Sequence, residues 1–137
     1  MQEKKIILLA SDCESSRWVY HALKEAAGIE AVILEQPVSK KELAKNRIKK
    51  TGFVPVMGQV LFSALVVPLL KLQSQKRKTY LVSKYGLNSS AINSSKIYRV
   101  NSVNDEGSLK AIQLLQPDII VVNGTRIISK KILQSTN

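Results

Sequence analysis

Short apolar runs alternate with stretches of helical periodicity along most of this chain. Four of the runs are predicted strands, near residues 5–10, 31–34, 97–100 and 118–122. They are apolar throughout rather than alternately apolar and polar, which is typical of parallel strands buried on both faces. The intervening stretches are long enough to be the helical crossovers that parallel strands need. We therefore expect an α/β fold, a parallel sheet covered by helices on both faces.

Capping residues indicate where two of the helices begin and end. Asp12 or Ser15 is placed to cap the first helix, because each offers an oxygen to free backbone N–H groups. Gly28 is a natural stop for that helix. Asn104 or Asp105 is placed in the same way before a helix that leads to the fourth strand. The order of elements predicts a Rossmann-like sheet, in which ligands bind beyond the carboxyl ends of the strands.

Residues 40–72 form a predicted helical insertion that is first basic and then apolar. A basic helix is expected to end at Gly52, and Phe53–Leu70 follows as 18 residues without a charge. This length is at the lower limit for a membrane span, and prolines interrupt it. We expect a broken helix that is buried or lies on a membrane surface, and no transmembrane span. A basic connector at 73–78 and a short extended piece at 80–83 are expected next.

The net charge of +11 favours acidic partners such as nucleic acid, anionic lipid or phosphorylated substrates. Much of it lies in two clusters of lysine and arginine, within residues 40–50 and 71–78. A solvated basic surface without a partner is the plainer explanation. No aromatic residues are interleaved with these lysines, which disfavours stacking on single-stranded nucleic acid.

Cys13 is the single cysteine, so the chain cannot form an internal disulfide. The first apolar run is too short for a signal peptide and carries no cleavage pattern. A cytoplasmic location fits best, and neither a cysteine-based nor another metal site is predicted.

Two polar loops follow the first and fourth predicted strands, at Ser11–Ser16 and Asn123–Arg126. The first loop lacks the glycines of a phosphate-binding motif, and its two carboxylates would repel phosphate. Those carboxylates suit sugar hydroxyls or an amine, and a plain strand-to-helix turn is the alternative. In the second loop, Gly124 permits a positive φ and close approach to a flat ligand. Apolar walls at Ile127 and Ile128 suit a planar heterocycle, and the alternative is a strand-exit turn with a structural Arg126.

No catalytic residue is predicted within the chain. His21 is the single histidine and falls inside the first predicted helix, where a surface or core-edge role is expected. Cys13 precedes a helix N-terminus, which would lower its pKa, but His21 is poorly placed to pair with it. No two carboxylates follow strands in a way that would bring them together for acid–base chemistry.

The segments at 104–115 and 117–128 together resemble the folate-dependent formyltransferase family. In that family, the pattern PD, two apolar residues, V-x-x-G-x-R-I and an apolar residue marks the fourth strand and the loop that binds the folate ring. The resemblance extends to the opening KIILLASDCESS, to RIKKTG and to the apolar helix containing Gly58-Gln59 and Leu61-Phe62. It covers most of the chain and is most specific from Asn104 to Leu133.

The resemblance implies transfer of a formyl group from 10-formyltetrahydrofolate, the co-substrate, to a substrate amine. A nucleotide-linked amino sugar and an aminoacyl-tRNA are the candidate amines, and the sequence does not choose between them. The residues expected to bind the folate are Gly124, Thr125, Arg126, Ile127 and Ile128, with backbone groups reading the ring. The residues expected to face the amine are Ser11, Ser15 and Ser16.

The family's catalytic asparagine, histidine and aspartate lie after the helix that begins at Ser129 and are not in this sequence. We therefore expect the N-terminal part of a formyltransferase, catalytically inactive without the C-terminal part of the same protein. Its sheet would be incomplete, with marginal stability or self-association as the result. The alternatives are a non-enzymatic basic α/β module that binds RNA or an anionic membrane surface, and an unrelated α/β domain with a partner of its own.

Overall fold

The computed structural model describes residues 4–37 and 39–135. The described residues fall into two compact units, the sheet unit (residues 4–37 and 88–135) and the helical unit (residues 39–87). The elements in chain order are β1 Ile6–Ser11, α1 Glu14–Ala27, β2 Ala31–Glu35, α2 Lys40–Thr51, α3 Phe53–Lys84, β3 Ile97–Val100, α4 Glu106–Leu115, β4 Ile119–Asn123 and α5 Lys130–Leu133. Each strand lies within one residue of its predicted bounds.

The four strands form one parallel sheet in the order β3-β2-β1-β4. The chain proceeds outward from β1 through β2 to β3 and then returns to the other side of β1 to form β4. The predicted α/β, Rossmann-like sheet is confirmed. Because the strand order reverses between β1 and β4, the crevice beyond the ends of these two strands is where such a sheet binds ligands.

Helices cover both faces of the sheet, as the unbroken apolar runs predict. Successive side chains of β1 point to opposite faces. Ile7 and Leu9 pack in one buried cluster with apolar side chains of α4 and α5. Leu8 and Ala10 pack in the other, against Tyr20 and neighbouring side chains of α1. Each fully buried aliphatic side chain contributes about 1.5–3 kcal/mol to folding, so the central strand anchors both layers.

The expected capping residues are partly wrong. Neither Asp12 nor Ser15 caps α1, whose N-cap residue is Cys13 and has no side-chain cap hydrogen bond. Asp12 instead pairs with Arg17 at 3.2 Å, which removes its carboxylate from the helix end. Asp105 does cap α4, because its carboxylate accepts a hydrogen bond from the backbone N–H three residues later.

The helical unit differs from the predicted insertion at 40–72. The break at Gly52 is present, with φ of +87°, but α3 is a single helix that continues to Lys84. The connector at 73–78 and the extended piece at 80–83 are therefore wrong. Pro55 lies in the first helical turn, where a missing N–H costs nothing. Pro68 lies inside the helix, and the leucines, lysines and glutamines beyond it are good helix formers.

The apolar part of α3 is exposed within the chain. By length and composition alone, α3 is sufficient to cross a membrane, and only 6% of its most apolar 18-residue window is buried. Of the two expected alternatives, the buried helix is wrong, and the helix on a membrane surface stays a prediction. Val56 is buried, and the Arg47 Nη1 group donates to Gln59 Oε1 at 2.9 Å, which joins α2 to α3.

Candidate functional site

The two polar loops predicted from the sequence meet at the point where the strand order reverses. Ala10 of β1 is the register partner of Asn123 of β4, so the loops that follow these strands are neighbours. We call residues 11–16 and 123–129 the switch-point loops. The N-terminus of α1 lies in the first of them, so its free N–H groups and positive dipole end face this region.

Hydroxyl groups from the first switch-point loop converge on the single thiol. Cys13 Sγ lies 3.2 Å from both Ser15 Oγ and Ser16 Oγ, and Ser11 Oγ donates to it at 3.6 Å. The side-chain amide of Asn123 donates to Ser16 Oγ at 3.0 Å and to Ser15 Oγ at 3.4 Å. The three serines expected to face a substrate are thus brought together and tied to the end of β4.

Not all three serines are accessible. Ser16 is fully buried, whereas Ser11 is half-buried and Ser15 is exposed. Ser16 therefore links the two loops, and Ser11 and Ser15 present the hydroxyl groups that a ligand could reach.

The hydrogen bonds around Cys13 change its acidity. Partial burial acts to raise the pKa of the thiol, but hydrogen bonds from Ser15, Ser16 and Ser11 outweigh it and lower the pKa from 9.0 to about 7. Near neutral pH the group is therefore divided between thiol and thiolate. His21 does not assist it, since its Nε2 lies 2.9 Å from Ser90 Oγ on a different loop. Cys13 therefore offers a partly ionised sulfur at the N-terminus of α1 and does not form a cysteine–histidine pair.

Gly124 has the conformation that the sequence predicts. Its φ is +67°, in the left-handed region that favours glycine. A Cβ at this position would lie 3.0 Å from Ser11 Oγ, 3.5 Å from Cys13 Sγ and 3.7 Å from Ser16 Oγ. The missing side chain thus allows the two switch-point loops to approach each other.

A buried carboxylate that the sequence analysis missed holds the second loop. Glu35 ends β2, between Ser11 of β1 and Val100 of β3, and is 3% exposed. Its Oε1 accepts from Arg126 Nε at 3.1 Å and from the N–H of Val103 at 3.2 Å, and its Oε2 accepts from the N–H of Arg126 at 3.1 Å. An acidic residue that closes an apolar strand was the available signal, and Glu35 ties the loops after β3 and β4 together.

The Arg126 side chain is therefore turned toward the protein. Besides Glu35, its Nη2 group donates to the carbonyl of Asn101 at 3.4 Å. This arrangement makes Arg126 a positioning residue for the loop. Thr125 turns its hydroxyl to the carbonyl of Arg126 at 3.0 Å.

Asn104 fixes the far side of the same loop. The side-chain Nδ2 of Asn104 donates to the backbone carbonyl of Ile127 at 2.9 Å, and its side-chain Oδ1 accepts from the N–H of Ser129 at 2.8 Å. With the backbone held in this way, the Ile127 side chain projects outward and is 94% exposed. Ile128 points the other way and packs against the core.

The two expected apolar walls thus face different surroundings. Ile128 lines a cleft of about 270 Å³ along β4, whose other lining residues are Leu9, Pro117, Asp118, Ile120, Val122, Ile132 and Leu133. Ile127 projects into solvent from the second switch-point loop. An extended aromatic ligand would therefore meet one apolar side chain at the crevice and a separate apolar surface along the strand.

Larger clefts lie elsewhere on the sheet unit. One of about 470 Å³ is lined by residues 4–6 and 27–30 at the amino end of β1. Another, of about 520 Å³, is lined by residues 112, 113, 116–118, 134 and 135 at the amino end of β4, and volume alone favours it. We place the candidate site at the opposite edge, because the strand reversal, a helix N-terminus and the converging polar side chains coincide there.

Comparison with models of protein families, with curated proteins and with solved structures finds no match to this chain. Within residues 4–37 and 39–135, no group of three or more histidine, cysteine, aspartate or glutamate side chains is arranged to hold a metal ion. The site as built offers hydroxyl groups, one acidic thiol, a held backbone loop and an exposed isoleucine. Such groups suit recognition of a polar, partly planar ligand.

Proposed function

We propose that this chain is the co-substrate-binding part of a formyltransferase that uses 10-formyltetrahydrofolate. One observation carries the proposal: residues 124–128, which resemble the family's folate loop, lie beside the serine loop at the strand reversal. In an open α/β sheet this is the position at which ligands bind.

The loop geometry suits a pterin ring, a flat heterocycle with donor and acceptor edges. Gly124 leaves the backbone exposed, and Ile127 offers an apolar side chain already directed to solvent. Arg126 and Asn104 act indirectly. Arg126 holds the loop through its pair with Glu35, and Asn104 holds it through the carbonyl of Ile127. The folate wall we propose is therefore Gly124, Thr125 and Ile127, with Arg126 as a positioning residue and Ile128 extending the wall along β4.

The amine substrate would approach from the serine loop. Ser11 and Ser15 present hydroxyl groups at the same crevice, which suits hydrogen bonding to a nucleotide-linked sugar or to the end of an aminoacyl-tRNA. In the reaction that the resemblance implies, the amine nitrogen bonds to the formyl carbon, the bond from that carbon to the folate nitrogen breaks, and the proton lost by the amine passes to that nitrogen. By the resemblance, an asparagine and a histidine stabilise the oxyanion and an aspartate orients the histidine, and none of the three matches a residue of this chain. This chain contributes binding and orientation, and alone we expect it to be inactive.

Calorimetric titration of the whole chain with 5-formyltetrahydrofolate, a stable reduced folate, tests the proposal. We expect saturable binding that Ile127→Ser weakens about tenfold, the loss expected for one apolar contact with a ring. Ile127 is 94% exposed, so this substitution should leave folding unchanged. Leu114→Ser, at a leucine that is 74% exposed on α4, is the matched control. Absence of folate binding, or equal weakening by both substitutions, would refute the proposal.

A further inference from the structure

Nearly all of the net charge lies in one of the two units. Residues 38–87 contain eleven lysines and arginines and one glutamate, a net charge of +10, whereas the remaining residues contain ten basic and nine acidic side chains, a net charge of +1. The charge therefore bears on what the helical unit binds rather than on the switch-point loops.

The same unit exposes an apolar helix surface. The side chains of α3 that are more than half exposed and large and apolar include Phe53, Val54, Val60, Leu61, Phe62, Leu65, Leu69 and Leu70. At 3.6 residues per turn they are spread round the whole helix rather than along one stripe. A helix that is apolar all round belongs in a core or in lipid, and only 6% of the most apolar window is buried.

The sheet prevents this helix from simply crossing a membrane. β2 precedes α3 and β3 follows it, and the two strands pair in register. Beyond α3, the chain is tied to the sheet unit at once, because Trp18 Nε1 donates to Ser89 Oγ at 2.8 Å. Only residues 85–88 separate Lys84 from that contact, and four extended residues reach about 14 Å. The hydrocarbon core of a bilayer is about 30 Å thick. If α3 crossed it, Lys84 would lie on the far side, and residues 85–88 would be too short to bring Ser89 back to Trp18.

We propose that residues 53–70 of α3 embed in one leaflet of an anionic bilayer, entering and leaving by the same face. The segment is about 27 Å long as a helix, and it is flanked by Lys49 and Lys50 on one side and by Lys71, Lys76 and Arg77 on the other. Lysine and arginine at such ends extend their charged groups to lipid phosphates while the apolar side chains leave water.

Other occupants fit less well. A second copy of this chain would bring two units of +10 together, which repel each other. Nucleic acid would neutralise the charge but would leave the apolar side chains in water. An anionic lipid surface satisfies both features, and it is the partner to which the proposal commits.

Flotation of the whole chain with lipid vesicles tests the binding. We expect strong partition into phosphatidylcholine vesicles with about one third phosphatidylglycerol, and at least tenfold weaker partition into phosphatidylcholine alone. Leu61→Asp with Leu65→Asp should reduce partition at least tenfold. Leu114→Asp, at an exposed leucine of the sheet unit, should not reduce it. If the aspartates introduced at positions 61 and 65 left partition unchanged, the proposal would be overturned.

Two double variants with the same change in net charge test how much the basic side chains contribute to vesicle binding. Lys76→Glu with Arg77→Glu should reduce partition at least tenfold at low salt, an effect that added salt diminishes. Lys110→Glu with Lys131→Glu makes the same change in net charge at exposed positions of the sheet unit and should have little effect. Equal effects of the two pairs, or RNA binding without vesicle binding, would contradict the proposal.

Thiol labelling distinguishes one-sided embedding from a span. In a Cys13→Ser background, single cysteines at Lys50→Cys, Phe62→Cys and Lys71→Cys are treated with a membrane-impermeant maleimide outside the vesicles. We expect labelling at positions 50 and 71 and protection at 62, with all three labelled when vesicles are absent. Protection of position 50 or 71 until the vesicles are lysed would show a span and would overturn the one-sided arrangement.

Discussion

At the scale of single residues, Cys13 is the group whose chemistry the fold changes most. Its pKa is lowered to about 7, so alkylation by iodoacetamide should rise with pH to a midpoint near 7, rather than near 9.0, the ordinary pKa of the thiol. Ser15→Ala should move the midpoint upward, because the thiolate loses a donor, whereas Ser74→Ala in α3 should not. The midpoint is measured from alkylation rates followed by mass spectrometry.

The same shift sets how this thiol affects stability. A depressed pKa in the folded state means that the folded protein binds the proton less tightly than the unfolded chain. The contribution of Cys13 to stability is therefore present above the pKa of the unfolded thiol and is lost as the pH falls through about 7. A midpoint of alkylation at or above the free-thiol value in the wild-type chain would contradict the arrangement of serines.

Gly124 is the residue at which backbone conformation and close packing coincide. Gly124→Ala should cost about 1–3 kcal/mol in the free energy of unfolding, because it adds left-handed strain and a contact of 3.0 Å with Ser11 Oγ. Gly28→Ala measures strain without a contact, since Gly28 has nothing within 4 Å of an added Cβ. It should cost about 1–3 kcal/mol through backbone strain alone, because φ of +74° with ψ of 155° is a conformation almost exclusive to glycine.

Urea unfolding followed by Trp18 fluorescence measures both losses. Gly124→Ala should cost less in a Ser11→Gly background than in the wild-type chain, because that background lacks the hydroxyl that the new Cβ meets. If Gly124→Ala costs the same in the wild-type and Ser11→Gly backgrounds, the switch-point loops are not in the close contact described.

At the scale of elements, the pair formed by Glu35 and Arg126 joins the ends of β2 and β4. Arg126→Met should destabilise the sheet unit by about 1–3 kcal/mol, because it leaves the carboxylate of Glu35 buried without its cation. The exposure of the guanidinium keeps this loss below that of a fully buried pair. Arg17→Met, which breaks an exposed pair with Asp12, should cost less than about 1 kcal/mol.

Thermal unfolding and folate titration together distinguish a positioning role for Arg126 from a purely stabilising one. As a positioning residue, Arg126→Met should weaken folate binding at temperatures at which the sheet unit is still folded, whereas Arg17→Met should not. Loss of stability without loss of binding would leave Arg126 as part of the scaffold alone.

The strands were predictable because their signal is local. Apolar runs bounded by polar loops fix strand positions, and helical stretches between them fix parallel pairing. The end of α3 was not predictable in the same way, because Gln73–Lys78 has a composition that suits either a solvated linker or an exposed helix. Glu35 was missed for a third reason: its partners, Val103 and Arg126, are far away in sequence, and only the fold brings them together.

At the scale of the whole molecule, we assign folate binding to the sheet unit and lipid binding to the helical unit. The sheet unit presents a polar crevice with little net charge, and the helical unit presents almost all of the charge and the exposed apolar helix. Trp18 is the single tryptophan and contacts Ser89 within the sheet unit. Its fluorescence therefore reports on that unit, whereas α2 and α3 contribute most of the helical circular dichroism.

Anionic vesicles should stabilise the two units unequally. A ligand that binds only the folded form raises its apparent stability according to its concentration and affinity. If α3 is embedded in lipid, the loss of helical circular dichroism on heating should move to higher temperature when phosphatidylglycerol vesicles are added. The Trp18 transition should move little, because the sheet unit does not bind the lipid. Reduced folate should have the opposite effect, raising the Trp18 transition alone. Equal movement of both transitions with either ligand would mean that the two units unfold together. The substitutions in α3 and at Ile127 would then show which unit binds lipid and which binds folate.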